Sequence, residues 1–368
     1  MTERPTIKDV ARLAGVSIAT ASRALSGTRP VQPAYRERVT AAAAELDYNP
    51  NLTARALRSA KTGAIGMVIP MIDNPFFPSL VSAIESLLET NGYTLLLCSS
   101  QENIELEAQR LRALTDRQVD GLLISAASQT DSVEAVARTA ELVPLVQLDQ
   151  RAPGVASPFV GIDDSAGMRS IVEHLASRGS RRTAYLGASD ENWSGMRRRD
   201  GFVRWTAESD PSARERIRLG SFTREFGRSG ALELLRADRE IDALVCANDL
   251  IALGALDAAH ELGLSVPGDV AVTGYDDIIV ATASNPTLTT VAQPVADIAR
   301  IAVETLWDTI GRGANPTADA RPTGADPDGS AGADRGEPAG ADPGDPVAAV
   351  SDEPTVEVAG TLVVRESA

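Results

Sequence analysis

Thr6-Ile7-Lys8-Asp9-Val10-Ala11-Arg12-Leu13-Ala14-Gly15-Val16-Ser17-Ile18-Ala19-Thr20-Ala21-Ser22-Arg23-Ala24-Leu25 reads as two short helices joined by a tight turn. Thr6 followed three residues later by Asp9 comes close to a capping box, so a helix is expected over 7–14. Gly15 is the turn residue that ends it, and Ser17 can cap a second helix over 18–25. Two short helices with glycine in the turn form the helix-turn-helix pattern, whose second helix enters the DNA major groove. Its outward residues are expected to be Ser17, Ile18, Ala19, Thr20, Ser22 and Arg23, with Thr6 at the head of the first helix. Hydroxyls hold phosphates, small and apolar side chains touch thymine methyl groups, and Arg23 can pair bidentately with guanine. A plain helical hairpin is the competing reading, and charge weighs against it. Residues 1–62 hold ten Lys and Arg against five Asp and Glu, a net of +5, whereas the whole 368-residue chain carries −16. The remainder therefore carries −21, and a basic head on an acidic body suits a head that meets a polyanion.

Outward from this stretch a third helix is expected over 33–46, with Val39, Ala42, Ala43 and Leu46 on its inner face. Asn49 then offers a cap and Pro50 a tolerated first helical position. A helix this short is marginal alone. It is expected either to form only on DNA, with Leu57 as a minor-groove wedge between Arg55 and Arg58, or to pack as a linker on the body. Asn51, Arg55, Leu57 and Arg58 are its candidate contacts.

From residue 64 onward, apolar runs alternate with helical periods. Residues 64–69 read as a buried strand, and Leu80, Ile84, Leu87 and Leu88 as the inner face of a helix stopped by Asn91-Gly92. Further strands are expected at 94–98, 121–125, 145–148, 159–162, 183–186, 243–246 and 270–274. This alternation argues for parallel sheets with helices on both faces, and so many strands are better housed in two lobes than in one sheet. The fold class is therefore α/β: an all-α helix-turn-helix head (1–48), a joint (49–62), and a two-lobed core over 63–312 plus 355–368. Residues 313–354 differ in kind, with ten Ala, seven Gly, seven Pro, seven Asp and a net charge of −7. Such a segment cannot bury enough surface to offset the entropy of ordering, so it is expected to be a disordered insertion, favoured over a tethered partner-binding segment.

Several function classes are disfavoured. No run approaches the roughly 18 apolar residues of a membrane span, and the opening residues lack the apolar core of a secretory signal, so a cytoplasmic protein is expected. Cys98 and Cys246 have no partner at metal-ligand spacing, and His174 and His260 have no triad partner, so neither metal nor cofactor is expected. No G-x-G-x-x-G follows the first strand, and neither a P-loop nor a G-x-S-x-G turn occurs, which argues against an enzyme. The pairs Asp163-Asp164 and Asp276-Asp277 should point apart rather than form a catalytic dyad.

Six motifs together resemble the lactose-repressor (LacI/GalR) family of bacterial transcription regulators. They are Thr6-Ile7-Lys8-Asp9-Val10-Ala11, Gly15 through Arg23, Leu46-Asp47-Tyr48-Asn49-Pro50-Asn51, Val119-Asp120-Gly121-Leu122-Leu123, Asn248-Asp249 with Ala252-Leu253-Gly254-Ala255-Leu256, and Gly274-Tyr275-Asp276-Asp277. The resemblance implies a dimer, or a dimer of dimers, on a pseudo-palindromic double-stranded operator. It implies paired hinge helices in the minor groove with Leu57 partly inserted. It also implies a periplasmic-binding-protein-like core in which a small effector, a sugar as the leading expectation, controls operator affinity of a repressor of carbohydrate genes. By analogy the lobes are 63–161 with 294–312, and 162–292 with 355–368, the insert lying near the third crossing.

Ligands in such sheets bind beyond the carboxyl ends of the strands. Asn74, Phe76 and Phe77 follow the first strand, and Asp149 follows 145–148. Arg198 precedes Gly201-Phe202, Phe222 follows another short run, and Asn248 follows 243–246. Asp276 and Gln293 follow the next two strands. Carboxylates, amides and an arginine can bond paired hydroxyls, while aromatic faces cover the C–H surface of a sugar ring. The set is similar to the pentose-contacting set of the ribose-binding proteins, except that Gln150 stands where that group tends to place an arginine. Alternative roles remain: Asn248 as a helix cap, Asp276 as a turn residue, Phe76 and Phe77 as core. Trp193 is expected either to pack or to line the cleft.

Overall fold

The computed structural model describes residues 5–26, 30–48, 62–313 and 354–368, and the chain divides into two units, Met1–Thr62 and Gly63–Ala368. In the first, α1 (Ile7–Ala14), α2 (Ile18–Ser26) and α3 (Pro33–Glu45) surround a small core of Val10, Ala11, Ala14, Ala21, Ala24, Val39 and Ala42. The Thr6 amide and hydroxyl both donate to the Asp9 carboxylate, at 3.0 and 2.7 Å, which holds that carboxyl below its usual range. The other end of α1 closes with Val16 N–H donating to the Ala11 carbonyl at 3.0 Å and Gly15 N–H to the Arg12 carbonyl at 3.2 Å. That double closure requires a left-handed residue, and Gly15 sits at φ 62°. A side chain there would also bring its Cβ to 2.5 Å from Arg38 Nη2. Ser17 then caps α2, accepting from the Thr20 amide at 3.1 Å.

The second unit opens with β1 (Ala64–Ile69), α4 (Phe76–Thr90), β2 (Thr94–Ser99), α5 (Ile104–Asp116), β3 (Gly121–Ile124), α6 (Val133–Ala140), β4 (Leu145–Leu148) and β5 (Phe159–Ile162). A second lobe follows: α7 (Asp164–Ser177), β6 (Thr183–Ala188), α8 (Trp193–Thr206), β7 (Ile217–Gly220), α9 (Arg224–Ala237), β8 (Ala243–Cys246), α10 (Asp249–Glu261), β9 (Ala271–Asp276) and β10 (Thr289–Ala292). The chain then returns through α11 (Val295–Gly313) and β11 (Thr355–Val358) before ending with β12 (Thr361–Val363). The two sheets run β11-β5-β4-β3-β1-β2 and β12-β10-β9-β8-β6-β7. All pairings are parallel except β10 with β12. Every residue of β3, β4, β5, β6, β8 and β9 is buried, as sheets covered on both faces require.

The lobe boundary needs one correction. Residues 355–368 do not all belong to the second lobe: Thr355–Val358 pairs with Phe159–Ile162 in the first sheet, and only Thr361–Val363 joins the second. Ala359 and Gly360 separate the two strands. A Cβ at Gly360 would lie 2.8 Å from both Ile162 Cδ1 and Val291 Cγ1, so only bare backbone passes between the lobes there. On the other side of the insert, α11 packs Ile298, Ala302 and Leu306 into the first lobe's core with Leu80, Ile84 and Leu88. First-lobe elements therefore flank the insert on both sides, and the third crossing comes after β11. Residues 314–353 lie outside the described residues, as do Asn51, Arg55, Leu57 and Arg58.

Candidate functional site

In the first unit, α2 turns Ala21 and Ala24 inward and the opposite face outward. Thr6, Ser17, Ile18, Ala19 and Arg23 are exposed, and Thr20 and Ser22 are half-buried. Ser17 Oγ and Thr20 Oγ1 lie 2.9 Å apart, and Arg23 Nε donates to the Ala19 carbonyl at 3.2 Å. Ile18, 46% exposed, is an apolar side chain that the head does not bury. Hydroxyls, a methyl-bearing patch and a guanidinium on one short helix form a surface matched to phosphates, thymine methyls and guanine.

In the second unit, the nine residues singled out above line one cleft, whose empty space together with the adjoining open solvent amounts to about 340 Å³. Asn74, Phe76, Phe77 and Asp149 come from the first lobe; Arg198, Phe222, Asn248 and Asp276 come from the second; Gln293 sits at the crossing after β10. Most lie just past the carboxyl end of a strand, Asp276 ends one, and Arg198 projects from within α8. Phe76 and Phe77 meet edge-to-face at 5.2 Å. Pro70, Met71, Glu102, Gln150 and Asn192 complete the wall. Trp193 does not line the cavity; it packs edge-on against Phe159 at 6.4 Å.

Asparagines recur where strands hand over to helices. Asn74 Oδ1 accepts from the Phe76 amide at 3.1 Å, Asn192 Oδ1 from Gly195 at 2.8 Å, and Asn248 Oδ1 from Ile251 at 2.9 Å. Asn248 thus does cap α10, yet its Nδ2 is buried without a partner, in a residue only 1% exposed. Gln293 donates from Nε2 to Asp276 Oδ1 at 2.7 Å, and its Oε1 is likewise buried and unpartnered. Unmet buried polar atoms are rare and demand an explanation.

Arg198, 3% exposed, is the electrostatic centre. Its Nε donates to Asp164 Oδ1 at 2.7 Å, and its Nη1 donates to the Ala247 carbonyl at 2.8 Å and Asp276 Oδ1 at 3.4 Å. Its guanidinium carbon lies 3.8 Å from the Tyr275 ring centre. Burial pushes Asp149 up to about 7 and Asp276 up to about 6, against the pull of Arg198. Glu102, exposed at the rim, is also raised by partial burial. Glu102, Asp149 and Asp276 all hold left-handed backbones, at φ 54°, 57° and 103°. Such strain persists only where the surroundings enforce it, and it concentrates at ligand sites. Asp163 and Asp164 do diverge, Asp163 capping α7 while Asp164 faces Arg198; likewise Asp277 pairs with Arg365 at 2.6 Å. Gln150 reaches the other lobe, its Nε2 donating to Ser194 Oγ at 2.8 Å. Among the described residues no cluster of His, Cys, Asp or Glu could hold a metal ion, and no helix is long and apolar enough to cross a membrane.

Glu102 and Asn192 escaped the sequence reading, and Asp164 entered it only as half of a diverging pair, not as the partner of Arg198. Asn192 carried a usable signal, an asparagine opening a helix after a strand, as at Asn248. Asp164 had none, because its partner lies 34 positions away.

Comparison with known proteins gives the family. Residues 6–51 match the model of bacterial regulatory proteins of the lacI family, and residues 172–327 match a periplasmic binding protein-like domain. The transcriptional repressor PurR of Proteus mirabilis is 34% identical over 83% of this chain and 90% of its own. The chain belongs to the lacI family of bacterial regulatory proteins. The ribose operon repressor of Halalkalibacterium halodurans is 34% identical over 82% of this chain and 89% of its own. A Lac repressor dimer bound to operator and an anti-inducer shares the fold, with a TM-score of 0.80 at 24% identity over 99% of both chains. This lacI-family chain is a DNA-binding transcriptional regulator and not an enzyme.

Proposed function

We propose that the chain is a cytoplasmic, homodimeric repressor of sugar-metabolism genes, whose affinity for a pseudo-palindromic operator is set by a small sugar in the two-lobed cavity. The observation that carries this reading is the pair of unpartnered buried atoms in one polar cavity, the Asn248 donor and the Gln293 acceptor. A hydroxyl both donates and accepts, so a polyol answers both, while Phe76, Phe77 and Phe222 cover its apolar faces. The name of the ribose operon repressor and the operator-bound Lac repressor dimer support the same reading. Thr6, Ser17, Ile18, Ala19, Thr20, Ser22 and Arg23 contact the duplex, and Asn51, Arg55, Leu57 and Arg58 complete the contact. A sugar effector acts only if it binds the DNA-competent and incompetent states unequally.

A thermal-shift screen of monosaccharides followed by gel shift on the upstream region of the chain's own gene tests this. At least one sugar should raise the melting temperature and change operator retention, and DNA binding should weaken steeply with salt. Folded protein that binds no palindromic site at moderate salt would reject the reading.

A further inference from the structure

The cavity is short of positive charge. Three carboxyl groups line it, on Glu102, Asp149 and Asp276, against one guanidinium, that of Arg198, and no lysine or histidine. Arg198 spends Nε on Asp164 and Nη1 on the Ala247 carbonyl and Asp276, which leaves Nη2 alone to meet a ligand. Helix amino termini are the other common home for an anion. Here Asn192 Oδ1 takes the Gly195 amide of α8 and Asn248 Oδ1 takes the Ile251 amide of α10. The buried, unpartnered Gln293 Oε1 adds another acceptor, beside Asp276. Acceptors therefore outnumber the free donors on this wall, which are Asn248 Nδ2 and Arg198 Nη2.

A hydroxyl-rich ligand supplies donors. A phosphate or carboxylate supplies acceptors and a negative charge that would stand beside Glu102, Asp149 and Asp276, a repulsion complete once the two buried groups ionise above about pH 7. We propose that the cavity selects a non-anionic, hydroxyl-rich molecule of monosaccharide size and excludes its phosphorylated and carboxylated counterparts. This rests on the reading of the cavity as the effector site.

Calorimetric titration of the full chain with matched probes tests it: ribose beside ribose 5-phosphate, and glucose beside glucose 6-phosphate and glucuronate. The expected result is that the sugar which binds does so at least about tenfold more tightly than its anionic counterparts. The gap should narrow in Asp149→Asn, and also in Glu102→Gln, a rim substitution that leaves the core packing alone. An anion binding as tightly as its parent, or a gap unchanged in both variants, would overturn the inference and leave the cavity as the effector site. Sugar binding unaffected by both Asp276→Asn and Asn248→Ala, or no binding by any probe, would overturn the reading of the cavity and this inference with it.

Discussion

The head and the cavity handle polar groups in opposite ways. In the head, Thr6 and Asp9 satisfy one another and Ser17 accepts its own helix's amide, while Ile18 and Arg23 are displayed outward. In the cavity, polar atoms are buried and two of them go unmet, carboxyl groups are pushed toward protonation, and three backbones are strained. A surface that is complete in itself fits a large, charged partner that lays over it. An interior with unmet valence fits a small partner that fills it.

Arg198→Ala should expose that difference most. It strips Asp164 and Asp276 of their buried counter-charge, which costs about 3–5 kcal/mol in such settings. Chemical denaturation should show that loss in the core, and a core midpoint within experimental error of the parent would break the contrast.

Protonation sharpens it next. Asp149 and Asp276 face Arg198, Asp164 and each other, and burial lifts them from an ordinary 3.8 to about 7 and about 6. The folded state thus holds these protons more tightly than the unfolded one. The stability the two groups contribute is complete below the ordinary carboxylate range and is lost as pH rises through 6 to 7. A ligand whose hydroxyls donate to the ionised groups offsets that loss, so ligand-induced stabilisation should be larger at about pH 8 than at about pH 5.5. Equal thermal shifts at both pH values would refute the assignment.

In the head, Arg23→Ala should cost about 1–3 kcal/mol in operator affinity with no change in sugar binding, as anisotropy and calorimetry can show together. Ser17→Ala should be the mildest, removing a cap worth about 1 kcal/mol of local stability, visible as faster amide exchange in α2. Coupled losses in the cavity from either head variant would erase the distinction.

The same contrast governs what was legible in the sequence. Caps, turns and strand ends are local, so Thr6, Gly15 and the positions after β1, β4, β8 and β9 announce themselves. Asp164 against Arg198 depends on tertiary packing and leaves no local trace. The constraint at Gly360 is equally long-range, because the two side chains that forbid a Cβ there, Ile162 and Val291, come from different sheets. Asn248 shows why competing readings need not exclude one another: one end of its amide caps the helix and the other faces the cavity.

Operator affinity of the full chain, measured by anisotropy with and without a saturating concentration of the sugar that binds, tests the central claim most directly. The account predicts that affinity shifts by at least about tenfold in the parent and not in Asp276→Asn, a coupling of roughly 1.4 kcal/mol. Identical operator affinity of the parent with the cavity full and empty would contradict it.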